Sequence, residues 1–296
     1  MRKAVESCTE DGIRVGVSLG GHQITDLDYA DDIALLASNV IDIQHFVNKV
    51  AFFGNLVGLK INSSKTKVMH LCGADSTNTP VLLDGTVLEI VDSFCYLGSV
   101  ISADSSCEQD IRKRSGFAEA TFQQLYNCLF SRNDISISTK MRVYLASVRS
   151  VLLYSCESWT LTDLLSSHLE ISEMSFLRRI LGIKVAEHVS NVMIRDMCGV
   201  KECISTIIQR RRLTWLGHVL RMQEDRIPRQ TFTDKRPSDW KRLSGRPRYT
   251  WDKVIHAETH SLTKQVRHYS GTVADWTVDG YKWIFFLSDL ASTRHQ

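Results

Sequence analysis

A change in hydrophobic periodicity near residue 104 divides this chain of 296 residues into two kinds of sequence. Before that point, short apolar runs alternate with turn residues and one helical stretch, which is typical of strands beside a helix. After it, apolar residues recur at spacings of three and four, which predicts a series of helices. We therefore expect an α+β fold class, with regions at residues 1–103, 104–223 and 224–296.

The first region is predicted to contain hairpins and a single helix. Residues 24–38 (ITDLDYADDIALLAS) form two short apolar runs hinged at an acidic pair, which suits a hairpin. Asn39 can cap a helix that ends at Gly58. Asp84 and Gly85 stand between β-forming residues and give the strongest short hairpin signal in the chain. Other runs that favour strands lie at 59–61, 68–71 and 94–101.

The second region shows helical spacing in four segments, at residues 107–130, 138–155, 163–182 and 204–222. Thr162 precedes the third segment and Gly182 ends it, as expected of a capped helix that stops at a glycine. In the third region, three of the four prolines fall within 20 residues, at Pro228, Pro237 and Pro247. Their polar and basic neighbours predict a linker or extended arm, followed by a weakly helical tail with an apolar patch at 283–286.

The overall composition is that of a globular protein. Apolar residues make up 43% and charged residues 23%, which excludes a collagen-like or wholly disordered chain. No apolar run is long enough for a membrane span, and the first residues lack a hydrophobic signal core. The eight cysteines are scattered without a CxxC pair, so we expect reduced thiols in an intracellular protein, cytoplasmic or nuclear.

The charge is unevenly distributed along the chain. Residues 1–100 carry 7 basic and 12 acidic side chains, whereas residues 209–254 carry 13 basic and 5 acidic ones. A polyanion is the natural partner of such a basic stretch. A solvated, arginine-rich surface is the alternative interpretation.

The sequence Tyr29-Ala30-Asp31-Asp32 is the sharpest candidate for chemistry. Two adjacent carboxylates at a hairpin tip repel each other, and a cation would relieve that repulsion. Ligands that are all oxygen suit Mg²⁺, and two such ions can support nucleotidyl transfer. The alternative is a solvent-exposed acidic turn, where aspartate is common.

This sequence resembles the catalytic hairpin of reverse transcriptases, and its surroundings resemble the version in non-LTR (LINE-type) retrotransposons. Residues 58–67 (GLKINSSKTK) are similar to the next palm motif of that family, and residues 94–98 (FCYLG) to its primer-grip hairpin. Residues 111–154 and 176–182 resemble the helical thumb and its continuation. Residues 211–222 and 245–251 resemble the carboxy-terminal region of the same elements, so the likeness covers about residues 10–255.

The resemblance implies roles for individual residues. Asp31 and Asp32 would be catalytic and hold Mg²⁺, and Lys65 would act as a general acid toward pyrophosphate. The residues that would contact substrate or primer are Tyr29, Phe94, Cys95, Tyr96, Leu97 and Gly98. The implied partners are an RNA template and a DNA primer or target DNA. Without the resemblance, Lys65 could be an ordinary surface lysine, and Phe94 and Tyr96 could belong to the core.

The family also uses a further palm aspartate and a fingers region, both well upstream of the hairpin. Only 28 residues precede Tyr29, so we expect a partial palm at 1–103, a thumb-like region at 104–223 and a basic arm and tail at 224–296. Mg²⁺ binding should then be weak or absent, and the chain alone should not polymerise. A non-catalytic nucleic-acid-binding remnant and a relic that does not fold stably remain alternatives.

The basic stretch gives an independent reason to expect nucleic-acid binding, because guanidinium groups bind phosphates in a bidentate manner. We expect Trp215 to face the helical core rather than stack on bases. Gly245-Arg246-Pro247-Arg248 resembles the core of an AT-hook, with a coincidental linker as the alternative. The predicted nucleic-acid-binding residues are Arg210, Arg211, Arg212, Arg221, Arg246 and Arg248.

Overall fold

The computed structural model describes residues 1–13, 15–19, 22–71, 79–233 and 250–270, with the backbone alone for 261–270. The chain divides into two compact units. The first, here called the mixed unit, comprises Met1–Ser106 with Met222–Arg246, and the second, the helical unit, comprises Cys107–Arg221 with Pro247–Gln296. The predicted mixture of helix and strand is present, and the assignment of these parts to a palm and a thumb stays a prediction.

The mixed unit begins with two helices and ten short strands. The helices are α1 (Arg2–Glu10) and α2 (Val40–Leu56). The strands are β1 (Val17–Leu19), β2 (His22–Ile24), β3 (Asp26–Tyr29), β4 (Asp32–Leu35), β5 (Lys67–Val68), β6 (Leu82–Leu83), β7 (Thr86–Val87), β8 (Glu89–Ile90), β9 (Ser93–Tyr96) and β10 (Ser99–Ser102). Within the described residues these strands pair only in twos: β1–β2, β3–β4, β6–β7 and β9–β10 antiparallel, and β5–β8 parallel.

Helix α2 is the element around which the mixed unit packs. The Asn39 side chain accepts a hydrogen bond from the Asp42 backbone N–H at 2.8 Å, which confirms the predicted cap. Phe46 is buried with residues of α1, whereas Val47 is buried with residues of the β6–β7 hairpin. Apolar side chains on two sides of α2 thus belong to two separate small cores.

One local prediction for this unit is confirmed, one is confirmed in part and one is wrong. Asp84 and Gly85 both have positive φ angles, 49° and 77°, as a two-residue hairpin of type I′ requires. Residues 94–101 form the hairpin β9–β10 rather than one strand. Residues 59–61 do not form a strand, because the Leu59 N–H bonds back to the Gly54 carbonyl and closes the end of α2.

The helical unit contains six helices between residues 107 and 221. They are α3 (Glu108–Leu125), α4 (Ile137–Val143), α5 (Arg149–Leu152), α6 (Asp163–Leu181), α7 (Asn191–Met197) and α8 (Ile204–Leu220). The π-helical segments Tyr126–Phe130 and Tyr144–Val148 continue α3 and α4, and 3₁₀ turns lie at Cys156–Ser158 and Val185–Glu187. The four helical segments predicted from the apolar spacing are therefore confirmed.

The caps of α6 agree with the sequence prediction. The Thr162 hydroxyl accepts from the Leu165 N–H at 3.3 Å at the start of the helix. Gly182 has a φ of 73°, and the Ile183 N–H bonds the Arg178 carbonyl at 3.0 Å, which ends the helix in a left-handed cap. One continuous core, which includes Phe122, Tyr144 and Leu177, fills the interior of this unit.

Two further helices follow, α9 (Ile227–Thr233) and α10 (Trp251–Ser270). The predicted linker is wrong at α9, where Pro228 lies in the first turn, a position at which proline does not disrupt a helix. Pro237, Pro247 and the apolar patch at 283–286 lie outside the described residues. No helix in the described part of the chain is long and apolar enough to cross a bilayer.

Candidate functional site

The candidate site is built on the β3–β4 hairpin, whose register pairs Tyr29 with Asp32. Ala30 and Asp31 therefore form a two-residue turn, as the acidic hinge predicted. Ala30 has a φ of 54°, in the left-handed region that a residue with a Cβ rarely adopts. The turn exposes both aspartates, and Tyr29 beside them is 64% exposed.

The other two acidic residues of the hairpin lie on its opposite face. Side chains alternate along a strand, so Asp26 and Asp28 project away from the side shared by Tyr29 and Asp32. Partial burial raises the pKa of the Asp28 carboxyl, and the nearby Asp26 carboxylate raises it further. Asp26 and Asp28 thus repel each other and do not join Asp32 as ligands on one face.

The described residues do not complete a magnesium site at this turn. No group of three or more histidine, cysteine, aspartate or glutamate side chains within the described ranges is arranged to hold a metal ion. Asp11, an acidic residue upstream of the hairpin, is paired with Lys49 at 2.6 Å. Two adjacent carboxylates do not enforce the octahedral oxygen geometry that Mg²⁺ prefers, so the predicted metal site needs further ligands.

The β9–β10 hairpin, which includes the predicted primer-contact residues Phe94 to Gly98, lies against the acidic hairpin. The Tyr96 hydroxyl donates a hydrogen bond of 3.1 Å to the Leu27 carbonyl on β3. Leu97 and Gly98 form its turn, with φ angles of 48° and 83°. Phe94 is 38% exposed, so it is not a core residue, contrary to the packing alternative, whereas Tyr96 is half-buried. Cys95 is exposed.

Lys65 lies in a turn after α2. The Asn62 side chain organises this turn, accepting from the N–H groups of Ser64 and Lys65 at 3.0 and 3.2 Å. Lys65 is exposed, and no ion pair among the described residues connects it to Asp31 or Asp32. Its predicted role as an acid stays a prediction.

The three arginines of the run in the middle of α8 have three different environments. Arg210 is exposed and pairs with Glu202 at 2.7 Å, and Arg211 donates to the Leu153 carbonyl at 3.0 Å. Arg212 is only 2% exposed, and it pairs with Glu258 of α10 and donates to the Trp159 carbonyl. Burial therefore removes Arg212 from the predicted nucleic-acid-binding set, because phosphate cannot reach its guanidinium.

The sequence contained a signal for the position of Arg212. It lies four residues from Ile208 and four from Leu216, both of which are buried. Arg212 therefore continues the inward stripe of α8, whereas Trp215 does not.

Trp215 is accordingly 42% exposed, which corrects the expectation that it faces the core. Its ring lies 5.4 Å from that of His218, one helical turn further along α8. Arg221, at the C-cap of α8 and three residues after His218, is exposed. These three residues form a basic and aromatic surface, called the α8 face below. Arg246 and Arg248 lie outside the described residues.

Comparison with known proteins gives the origin of the chain. A protein of Caenorhabditis elegans, whose name describes it as uncharacterized and transposon-derived, is 30% identical to it over 246 residues. That match covers 81% of this chain and 87% of the relative. No protein-family model matches the sequence. Identity at this level over most of both chains indicates common descent, and the chain therefore belongs to the family of this transposon-derived protein.

Proposed function

We propose that the chain derives from the reverse transcriptase of a non-LTR retrotransposon and retains its catalytic hairpin, primer-grip hairpin and thumb-like helices. The observation that supports this most is the hydrogen bond from Tyr96 to the Leu27 carbonyl. It joins the two hairpins that the resemblance assigns to metal binding and primer placement. The transposon-derived relative is consistent with the same origin.

In this proposal the parent reaction is RNA-directed DNA synthesis, in which a primer end resting on residues 94–98 is extended along an RNA template. Asp31 and Asp32 would be two of the ligands to Mg²⁺, which promotes nucleotidyl transfer when bound. Since the described residues bring no third carboxylate to the turn, this chain by itself should not carry out the reaction. It would need a ligand, and a nucleotide-binding surface, from other residues.

A primer-extension assay tests this proposal. The full chain is incubated with a DNA primer on an RNA template, with Mg²⁺ or Mn²⁺ and the four deoxynucleotides. We expect no incorporation above that of the Asp31→Asn variant, because two exposed carboxylates alone do not position the ions in line. Incorporation that requires Asp31 would contradict the inactivity of the isolated chain.

A second candidate function, nucleic-acid binding without catalysis, is supported by the α8 face. Trp215, His218 and Arg221 follow one another at intervals of three residues, with Arg221 at the C-cap of α8. Positions three apart are neighbours on a helix surface, so these side chains form one oblique row. Guanidinium groups can bind phosphates and the indole can stack on a base.

Substitutions on the α8 face should weaken binding of a single-stranded RNA labelled with a fluorophore. Trp215→Ala should lower affinity about tenfold, since stacking on an aromatic side chain contributes about 1–3 kcal/mol per base. Arg221→Glu should lower affinity and also reduce its salt dependence, because fewer counterions are released. Fluorescence polarisation at several salt concentrations measures both effects.

Two exposed residues elsewhere on the helical unit serve as matched controls for that experiment. Phe117→Ala removes an aromatic side chain that is 48% exposed on α3, and Arg142→Glu reverses an exposed charge on α4. Both should leave RNA affinity nearly unchanged. Equal losses in the controls and the α8 variants would exclude a specific role for the α8 face.

A further inference from the structure

The helical unit has a groove of about 930 Å³ whose lining does not include Trp215, His218 or Arg221. It lies along α6, the turn after α6, and the beginnings of α7 and α8. Its lining includes the aliphatic and thioether side chains of Ile171, Met174, Ile183 and Val185. Nothing in the proposed function uses this groove.

Exposed apolar residues of α6 continue the groove along the helix. Leu164 is 80% exposed and Ile171 is 69% exposed, although each is large and aliphatic. Leu164, Ile171 and Arg178 are spaced seven residues apart, which places them on one side of the helix. The other side of α6 supplies the core with Phe176 and Leu177. Helix α6 thus has a second apolar stripe that the fold leaves uncovered, as at protein-binding surfaces.

Arginine and lysine side chains border this stripe, and some of them have no carboxylate partner among the described residues. Arg195 of the groove is paired with Glu170, and Arg179 with Glu119 at 2.8 Å. Arg178 instead donates to neutral groups, the Val189 carbonyl at 2.7 Å and the Asn191 side chain at 2.9 Å.

The second terminal nitrogen of Arg178 is buried and has no hydrogen-bond acceptor in the described part of the chain, so Arg178 adds positive charge to this edge without offering that nitrogen to a partner. Lys184 is exposed at the same border and forms no ion pair with any described residue. The groove therefore has an aliphatic floor with uncompensated positive charge at one edge, which is complementary to an apolar segment that carries acidic residues.

We propose that this groove binds an amphipathic, acidic helix of a partner protein. From residue 164 to residue 178 the stripe extends about 21 Å, at about 1.5 Å per residue, so a helix of about 15 residues would cover it. Apolar anchors at i, i+3 or i+4, and i+7 would occupy the floor, as in other helix-in-groove complexes. Acidic side chains beside them would meet the exposed Lys184, next to the positive charge of Arg178. Among the described residues no aromatic side chain lines the groove, so they offer bases no ring on which to stack.

This proposal does not depend on the proposed function, and a peptide selection tests it. A phage-displayed library of random peptides of about 15 residues is panned on the full chain, with counter-selection on the Ile171→Glu variant. We expect enriched peptides to combine helical apolar spacing with net negative charge. Ile171→Glu and Lys184→Glu should each weaken a selected peptide at least about tenfold, or about 1.4 kcal/mol, in fluorescence polarisation.

Matched controls and a charge swap make the result specific. Leu145→Glu and Arg142→Glu change an exposed apolar residue and an exposed arginine outside the groove, and they should bind the peptide like the parent chain. Lys184→Glu should regain affinity for a peptide in which the acidic residues are replaced with lysine.

Four outcomes would overturn the proposal. Three concern the peptides: a selection that enriches no peptide, enriched peptides without acidic residues, and peptides that bind the Ile171→Glu variant equally well. The fourth is a single-stranded RNA probe that loses affinity with Ile171→Glu and Lys184→Glu while no peptide binds, since the groove would then be a nucleic-acid surface.

Discussion

Replacing Arg149 with leucine should lower the free energy of unfolding by about 3–5 kcal/mol at neutral pH, because it leaves a buried carboxylate without its partner. The Arg149 guanidinium donates to Glu173 Oε1, with Nε at 2.7 Å. Glu173 is fully buried, and its other oxygen has no hydrogen-bond partner among the described residues. Urea unfolding followed by circular dichroism would measure the loss.

The loss should also depend on pH in a defined direction. Burial raises the pKa of Glu173, and the charge of Arg149 opposes that rise. Without the arginine the pKa in the folded state should be higher still. A carboxyl whose pKa is higher in the folded than in the unfolded state stabilises the fold at low pH. This contribution to the free energy of unfolding is lost as the pH rises through the folded-state pKa. The variant should therefore be closer to the parent chain at about pH 5 than at about pH 8.

A double variant separates the lost partner from lost packing. Arg149→Leu combined with Glu173→Leu removes both charges, and it should recover much of the stability, since apolar replacement of a buried ion pair is often nearly neutral. If Arg149→Leu alone stayed within about 1 kcal/mol of the parent chain at both pH values, Glu173 would have to be solvated in spite of its burial.

The helices were predictable because their sequence signals are local. The cap at Thr162 and the glycine at Gly182 mark the two ends of α6 within the segment itself, and the structure has both. Asn39 marks the start of α2 in the same way. The strand predicted at 59–61 failed for a tertiary reason, since the chain turns back on α2 there. Short apolar runs give no information on such a turn.

Buried charges were the least predictable feature of the helical unit. The composition of the arginine run gives no reason to distinguish Arg210, Arg211 and Arg212. In the structure, only Arg212 lies on the inward stripe of α8. Its partner Glu258 is 46 residues away in sequence, so no local pattern identifies the pair. The same holds for Arg149 and Glu173, which are 24 residues apart.

The sequence predicted the individual hairpins of the candidate site, but it did not predict the contact between them. The acidic pair predicted the turn, and the structure has it between Tyr29 and Asp32. The bond from Tyr96 to Leu27 spans 69 residues, and only the folded chain brings the two hairpins into contact. The groove on α6 could not be predicted from the spacing of apolar residues. Leu164 and Ile171 have the spacing expected of a helix that is buried on more than one side, so the sequence does not show that they are exposed.

Replacing Phe122 with alanine should destabilise the helical unit by about 3–5 kcal/mol, the range for loss of a large buried aromatic side chain. Phe122 is fully buried, its ring stacks on Phe130 at 4.5 Å and lies 5.0 Å from that of Phe176, and Arg179 lies over it at 4.3 Å. Truncation would leave a cavity between three helical segments. It would also remove the ring over which the Arg179 guanidinium lies, so both the packing and the cation–π contact would be lost. Phe117→Ala on the same helix is the matched control, because that side chain is 48% exposed and its loss should cost less than about 1 kcal/mol. Urea unfolding of the two variants side by side would measure the difference, and equal losses would mean that the ring of Phe122 is not at the centre of this core.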